Sequence, residues 1–261
     1  MALATVRLIW APSILLEDKP GKIGPGDDEV EAGDTVVDGL LQLMEQARQE
    51  VLIVSPYFVP GKPMMDVFRR LRDRGVRIRV LTNSLASNDA PAAHAGYARY
   101  RGDLLGMGVE LYEMRAAQEA GVTGLGSGGR IGSGSGIGSG AGGGVGSKMN
   151  SSRASLHSKA VIVDQRLSVI GSMNLDLRSQ RKNSEVALVI RGGALAREAT
   201  ARIDGTLSQG AYRLERDGGG RIVWRAPPDA GFKDATSEPE ASTRLKMLVR
   251  LIAPFAPDEM L

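Results

Sequence analysis

VLIVSPYFVPGKPMMDVFRRLRDRGVRIRVLTN, residues Val51 to Asn83, decides the fold class. It opens with an unbroken apolar run that stops at Ser55-Pro56, the pattern of a strand buried on both faces. The period then changes, because Met65, Phe68 and Leu71 recur at helical spacing and Gly75 supplies a stop. VRIRVLTN returns to strand composition. Upstream, TVVDGLLQLMEQARQE from Thr35 places Val37, Leu40, Leu41 and Met44 on one helical face. Downstream, GYARYRGDLLGMG and VELYEM repeat the helix-strand order. Such alternation predicts an α/β fold, a mainly parallel mixed sheet flanked by helices on both faces.

SLHSKAVIVD and SEVALVI read as two further strands, and a helix is expected over Ala194 to Leu207. The opening MALATVRLIWAPSILLEDKP is apolar but broken by Arg7 and Pro12, so it reads as a strand entering a loop rather than a signal peptide or membrane span. At 261 residues and 42% hydrophobic content the chain can build one large core. We read residues 1–261 as one domain with two appendages. Residues 121–147 are so rich in glycine and serine that ordering them costs too much backbone entropy, which predicts a disordered insert: a lid, or an insertion tolerated on the surface. Residues 238–261 are expected to be an amphipathic helix and tail. Leu245, Leu248, Val249 and Ile252 share a face with Arg244, Lys246 and Arg250 around it, which suits either an anionic membrane surface or docking on the chain's own domain.

Charge narrows little: 33 basic and 30 acidic residues leave a net +3. No basic stripe with interleaved aromatics is evident, which argues against a nucleic-acid partner. The absence of cysteine excludes disulfides and thiolate metal sites; it fits a reducing compartment and equally suits many proteins outside one.

The chemistry lies in LHSKAVIVDQRLSVIGSMNLD, Leu156 to Asp176. Alternate strand residues share a face, so His157 and Lys159 point the same way. A neutral imidazole can attack phosphorus while an ammonium holds the oxygens on which negative charge grows. Ser172 and Asn174, after a tight turn expected at Gly171, can donate further hydrogen bonds to those oxygens. The set suits a phosphate ester.

His157-x-Lys159-x4-Asp164-x6-Gly171-Ser172-x-Asn174 resembles the HKD motif of the phospholipase D superfamily, complete in residue type and spacing. SPYFVPG, TNSLASNDAPAAHAGYARYR, GVELYEM and the ending PFAPDEML resemble segments of bacterial cardiolipin synthases, those of the C type most of all. The resemblance implies transfer of a phosphatidyl group between phospholipids, or hydrolysis, through a phosphohistidine and without metal or other cofactor. His157 is then the nucleophile or its acid/base counterpart, with Lys159, Ser172 and Asn174 on the substrate phosphate. Glu185 occupies the place of the acid that orients the histidine, and Asp164 that of a residue fixing the motif's own backbone. A cytoplasmic protein in peripheral contact with the inner membrane is implied.

Superfamily enzymes oppose two such motifs, and this chain carries one. It resembles a C-terminal half, whose partner is either a missing N-terminal region or a second copy. Without that partner it is an inactive half-enzyme; as a homodimer it could also be a nuclease. His94, the second of only two histidines, has no lysine two residues on and is not a second motif. It is read, with Tyr57 and Asn83, as lining the cleft at the strand ends, or as an ordinary residue there.

Overall fold

The computed structural model describes residues 8–19, 22, 35–116 and 155–255. The glycine-rich insert and residues 256–261 of the tail lie outside them. Nine strands are described: β1 (Ser13–Glu17), β2 (Glu50–Val54), β3 (Arg77–Asn83), β4 (Glu110–Met114), β5 (Ala160–Val163), β6 (Leu167–Gly171), β7 (Val186–Arg191), β8 (Ala211–Arg216) and β9 (Ile222–Arg225). They form one sheet in the order β1-β7-β6-β5-β2-β3-β4-β8-β9. The helices are α1 (Val36–Glu45), α2 (Gly61–Asp73), α3 (Pro91–Gly106), α4 (Leu177–Arg181), α5 (Gly193–Gly210) and α6 (Thr243–Ile252).

The expected α/β architecture with a mixed sheet is present, but its parallel share is smaller than expected. Among the described residues β2 runs parallel to β3 and β3 to β4, while all six remaining neighbour pairs are antiparallel. The reason lies in the connections. Helices α2 and α3 are long enough to carry the chain back for a parallel return, whereas β5 to β6 and β8 to β9 are joined by short turns that force reversal. Strands β8 and β9 are short and were not anticipated.

The run in β2 is buried on both faces, as its composition requires. Val51 and Ile53 meet Leu40 and Met44 of α1 and Phe68 and Leu71 of α2 in one core. Leu52 and Val54 face the other way, into a core with Ala196, Ile203 and Leu207 of α5. Helix α1 begins on a capping box: the Thr35 hydroxyl accepts from the Asp38 N–H at 3.1 Å, and the Asp38 carboxylate accepts from the Thr35 N–H at 3.3 Å.

On the α3 side a charged cluster is enclosed. Arg101 of α3 is 3% exposed and Glu113 of β4 is 0% exposed. Their atoms Nη2 and Oε1 are 2.7 Å apart, an ion pair without good hydrogen-bond geometry. The Trp224 indole N–H of β9 donates to the other Glu113 oxygen at 2.8 Å. Arg101 Nη1 reaches Glu238 at 2.5 Å, and its guanidinium lies over the rings of Tyr97 and Trp224. One cation thereby ties α3, β4, β9 and the segment leading to α6.

Candidate functional site

The motif residues collect at one end of the sheet because of strand direction. Strand β6 ends there, β5 and β7 start there, and β2 and β3, antiparallel to β5 through β2, also end there. His157 and Lys159 therefore lead into β5, while Ser172 and Asn174 follow β6. The Gly171 N–H donates to the Lys159 carbonyl at 3.2 Å, which joins the two arms of the motif.

His157 and Lys159 stand just before β5 rather than within the strand in which they were expected to alternate. Leu156 is buried in the core beneath α5, and His157 is exposed. The half-buried Lys159 donates from Nζ to the His157 backbone carbonyl at 3.4 Å, which holds the ammonium against the main chain of that residue. Among the described residues the His157 ring has no hydrogen-bond partner.

Gly171 is not the tight turn that was expected. It is the last residue of β6, paired with Ala187. Its need for glycine is steric: a Cβ there would lie 2.4 Å from the Val186 carbonyl oxygen and 2.6 Å from Met173 Sδ. The real turn is at Asp164 and Gln165, both at φ 51, closed by the Arg166 N–H on the Val163 carbonyl at 3.0 Å. Gly171→Ala should push β7 from β6, with a stability loss of about 1 to 3 kcal/mol; a denaturant melt with unchanged midpoint would contradict this.

Among the described residues Glu185 makes no hydrogen bond or ion pair to His157. It is 6% exposed and accepts a hydrogen bond from the Ser172 hydroxyl, with Asn183 Nδ2 on its other oxygen at 3.4 Å. The Val186 N–H donates to Ser172 Oγ at 3.1 Å. Asp164 is structural, but the backbone it fixes is distant in sequence: its carboxylate accepts the N–H groups of Arg48 at 3.0 Å, Gln49 at 2.8 Å and Glu50 at 2.9 Å, at the start of β2. Asn174 is half-buried. Its N–H is taken by the Ser179 hydroxyl at 3.1 Å, and its side-chain oxygen is buried without a partner among the described residues, an unmet acceptor within the motif.

Two expected cleft-lining residues are not on a cleft surface. Asn83, 1% exposed, accepts the Leu156 N–H at 2.9 Å and donates to the Leu156 carbonyl at 3.3 Å. It continues the pairing at the end of β3 with a side chain and so fixes the residue before His157. His94, 0% exposed, belongs to the enclosed cluster, with Nε2 3.0 Å from Arg101 Nη2 and 3.4 Å from Glu238. Both satisfy the polar requirements of buried neighbours, which is why they lie inside. Tyr57 is partly open. Its hydroxyl donates to Asp89, and burial first, then the bond to Asp89 and the charges of Asp89 and Asp176, push its pKa up to about 12.

Three supports had no sequence signal. Ser55 Oγ donates to the Tyr57 carbonyl at 2.6 Å and accepts the Leu175 N–H at 3.1 Å, stitching the loop after β2 to the loop after β6. Asp18 and Lys22 form a buried ion pair. The Asp18 carboxylate also accepts the Glu185 N–H at 2.8 Å and the Val36 N–H at 2.7 Å, and Lys22 donates to the Ser179 carbonyl at 3.0 Å. Asp176 caps α4 through the Ser179 N–H at 2.7 Å. Burial raises its pKa despite that bond, and the charge of Glu185 adds to the rise. Among the described residues no group of three or more His, Asp or Glu is placed to hold a metal ion.

A family profile described as cardiolipin synthase, PLD-like domain, matches residues 40–123 and 138–206. Cardiolipin synthase C of Escherichia coli K12 is 35% identical over 250 residues, which is 95% of this chain and 48% of that protein. Cardiolipin synthase A of Yersinia pseudotuberculosis is 27% identical over 167 residues, 64% of this chain and 26% of that one. The chain thus spans half or less of the length of these relatives. Among solved structures, phosphatidylserine synthase of Haemophilus influenzae superposes with a TM-score of 0.55 at 14% identity, over 95% of this chain and 48% of that one. That likeness concerns the fold.

Proposed function

This chain belongs to the cardiolipin synthase, PLD-like domain family, and from that premise we propose that it transfers a phosphatidyl group between phospholipids, or hydrolyses one, through a covalent bond to His157. The observation that carries the reading is the exposed His157 ring beside Lys159, at the strand end that also presents Ser172. A ring nitrogen of His157 attacks the lipid phosphorus, the bond from phosphorus to the alcohol oxygen breaks, and that oxygen takes a proton from an acid. An acceptor hydroxyl, or water, then gives its proton back to that same group as its oxygen bonds to phosphorus, and the bond from phosphorus to nitrogen breaks to free the histidine. Lys159 and Asn174 hold the non-bridging oxygens as charge develops on them. Glu185 orients Ser172, and through it this pocket, rather than the imidazole.

The proton for the leaving oxygen comes from a second histidine-bearing half, either a separately supplied N-terminal region or a second copy. A surface for it borders the site. Leu15, Leu188 and Ile170 lie side by side on adjacent strands, with Val186 on the same face, and they are 59%, 39%, 47% and 49% exposed. Val186 is bonded through its N–H to Ser172, so the apolar row runs up to the motif.

The test incubates the chain, alone and with a separately produced N-terminal half, with labelled phosphatidylglycerol and phosphatidylethanolamine. Labelled cardiolipin or phosphatidic acid is expected in at least one arrangement. Folded protein that yields neither would end the proposal. Leu188→Glu should abolish product in the productive arrangement while shifting the stability of the chain alone by no more than about 0.5 kcal/mol.

A further inference from the structure

Helix α6 uses only part of its circumference to dock. Leu245, Val249 and Ile252 pack toward Leu85 and Ala95. Met247, Leu248 and Leu251 point outward at 65%, 44% and 69% exposure, and Phe255 in the next turn is 78% exposed. Arg244, Lys246 and Arg250 stand among them, and α6 contains no acidic residue. A cavity of about 500 Å³ behind α6 is lined by Lys246 and Arg250 together with Arg99 and Arg221, the last paired with Asp217. The acid on that cavity, Glu238, is already paired with Arg101.

Packing on the chain's own domain accounts for the inner face alone. The outer face combines large apolar side chains with cations that have no ion-pair partner among the described residues, which is costly in water and fits a surface that is anionic outside and apolar just beneath. At about 1.5 Å per residue the ten residues of α6 are far too short to cross a bilayer. No described helix is long and apolar enough to cross one.

We propose that the outward face of α6 seats this protein on an anionic phospholipid bilayer, with Met247, Leu248, Leu251 and Phe255 at the acyl boundary and Arg244, Lys246 and Arg250 among the lipid phosphates. The proposal extends the reading of the substrate as a phospholipid, because it brings the site to the surface where that lipid resides. The two stand apart in the laboratory, since seating is read without turnover.

The full chain is sedimented with vesicles of phosphatidylcholine alone and with vesicles enriched in phosphatidylglycerol. Binding is expected on the second and not the first, weakening as salt is added. Each surface cation contributes about a fivefold gain in partition, so an Arg244→Gln, Arg250→Gln double variant should bind about 30-fold more weakly. A Leu251→Ser, Phe255→Ser variant should lose at least as much, with its thermal midpoint unchanged because both side chains are exposed. Equal binding to both vesicles, no binding, or no effect of the variants overturns the proposal. So does a wild-type dimer in light scattering that Leu251→Ser, Phe255→Ser dissociates, which would make this face a protein interface. Activity on detergent-dispersed lipid, if present, should be unchanged in both variants.

Discussion

His157→Ala should lower turnover of the complete, two-motif enzyme by about 10⁴- to 10⁶-fold, the range seen when a member of a covalent catalytic unit is removed, and leave the fold intact. The two halves of that expectation have separate causes. The ring is exposed and has no hydrogen-bond partner among the described residues, so its loss costs the folded state less than about 0.5 kcal/mol. The same openness lets it reach phosphorus. His94→Ala is the contrasting control: that ring is wholly enclosed against Arg101 and Tyr97, so its removal should lower the thermal midpoint. Turnover by His157→Ala near the wild-type level, with product that still depends on the protein, would remove His157 from the mechanism. A parallel fall in activity and stability would make its role structural.

What the sequence made legible was set by the range of the interactions involved. The central strands and α1 and α2 could be read because apolar period is a local property, and β2 buries both faces as its unbroken run requires. The motif could be read because its residues lie within one hairpin and the loop after it. The long-range supports could not. Asp18 is 167 residues from Glu185, whose N–H it holds, and Asp164 is 114 to 116 from the three amides it collects. Nothing near an aspartate in sequence distinguishes one that binds a remote backbone from one in water. Asn83 and His94 were misplaced for a related reason: a polar residue at a strand or helix end suggests a cleft, but buried backbone or a buried cation can demand it just as strongly. Strands β8 and β9 were missed because four to six residues rich in arginine carry too little apolar signal.

The enclosed cluster yields the largest expected effect on stability. Arg101→Ala should destabilise the protein by about 3 to 5 kcal/mol at neutral pH, because it leaves a buried charge without its partner. Glu113 would keep only the Trp224 N–H, and Glu238 would lose its guanidinium. Burial already raises the Glu113 pKa, against the opposing pull of Arg101. Glu238 behaves oppositely: burial favours its neutral form, but Arg101 and His94 outweigh this and lower it from 4.5 to about 2. In the wild type Glu238 thus contributes stability that is fully present above pH 4.5 and is lost as pH falls toward 2. In the variant Glu113 rises further, and its folded state keeps a proton that the unfolded chain gives up. The variant therefore gains stability as pH falls from neutrality toward the ordinary carboxylate range, and the gap to wild type narrows. Urea melts at pH 7.5 and pH 5 give the two differences: a gap of equal size at both would mean that Glu113 is not the stranded group. Arg101→Met with Glu113→Leu supplies the cycle's far corner. Removing cation and anion together should recover part of the loss, since the stranded Glu113 charge goes with the cation while the Trp224 N–H and Glu238 are left without those partners.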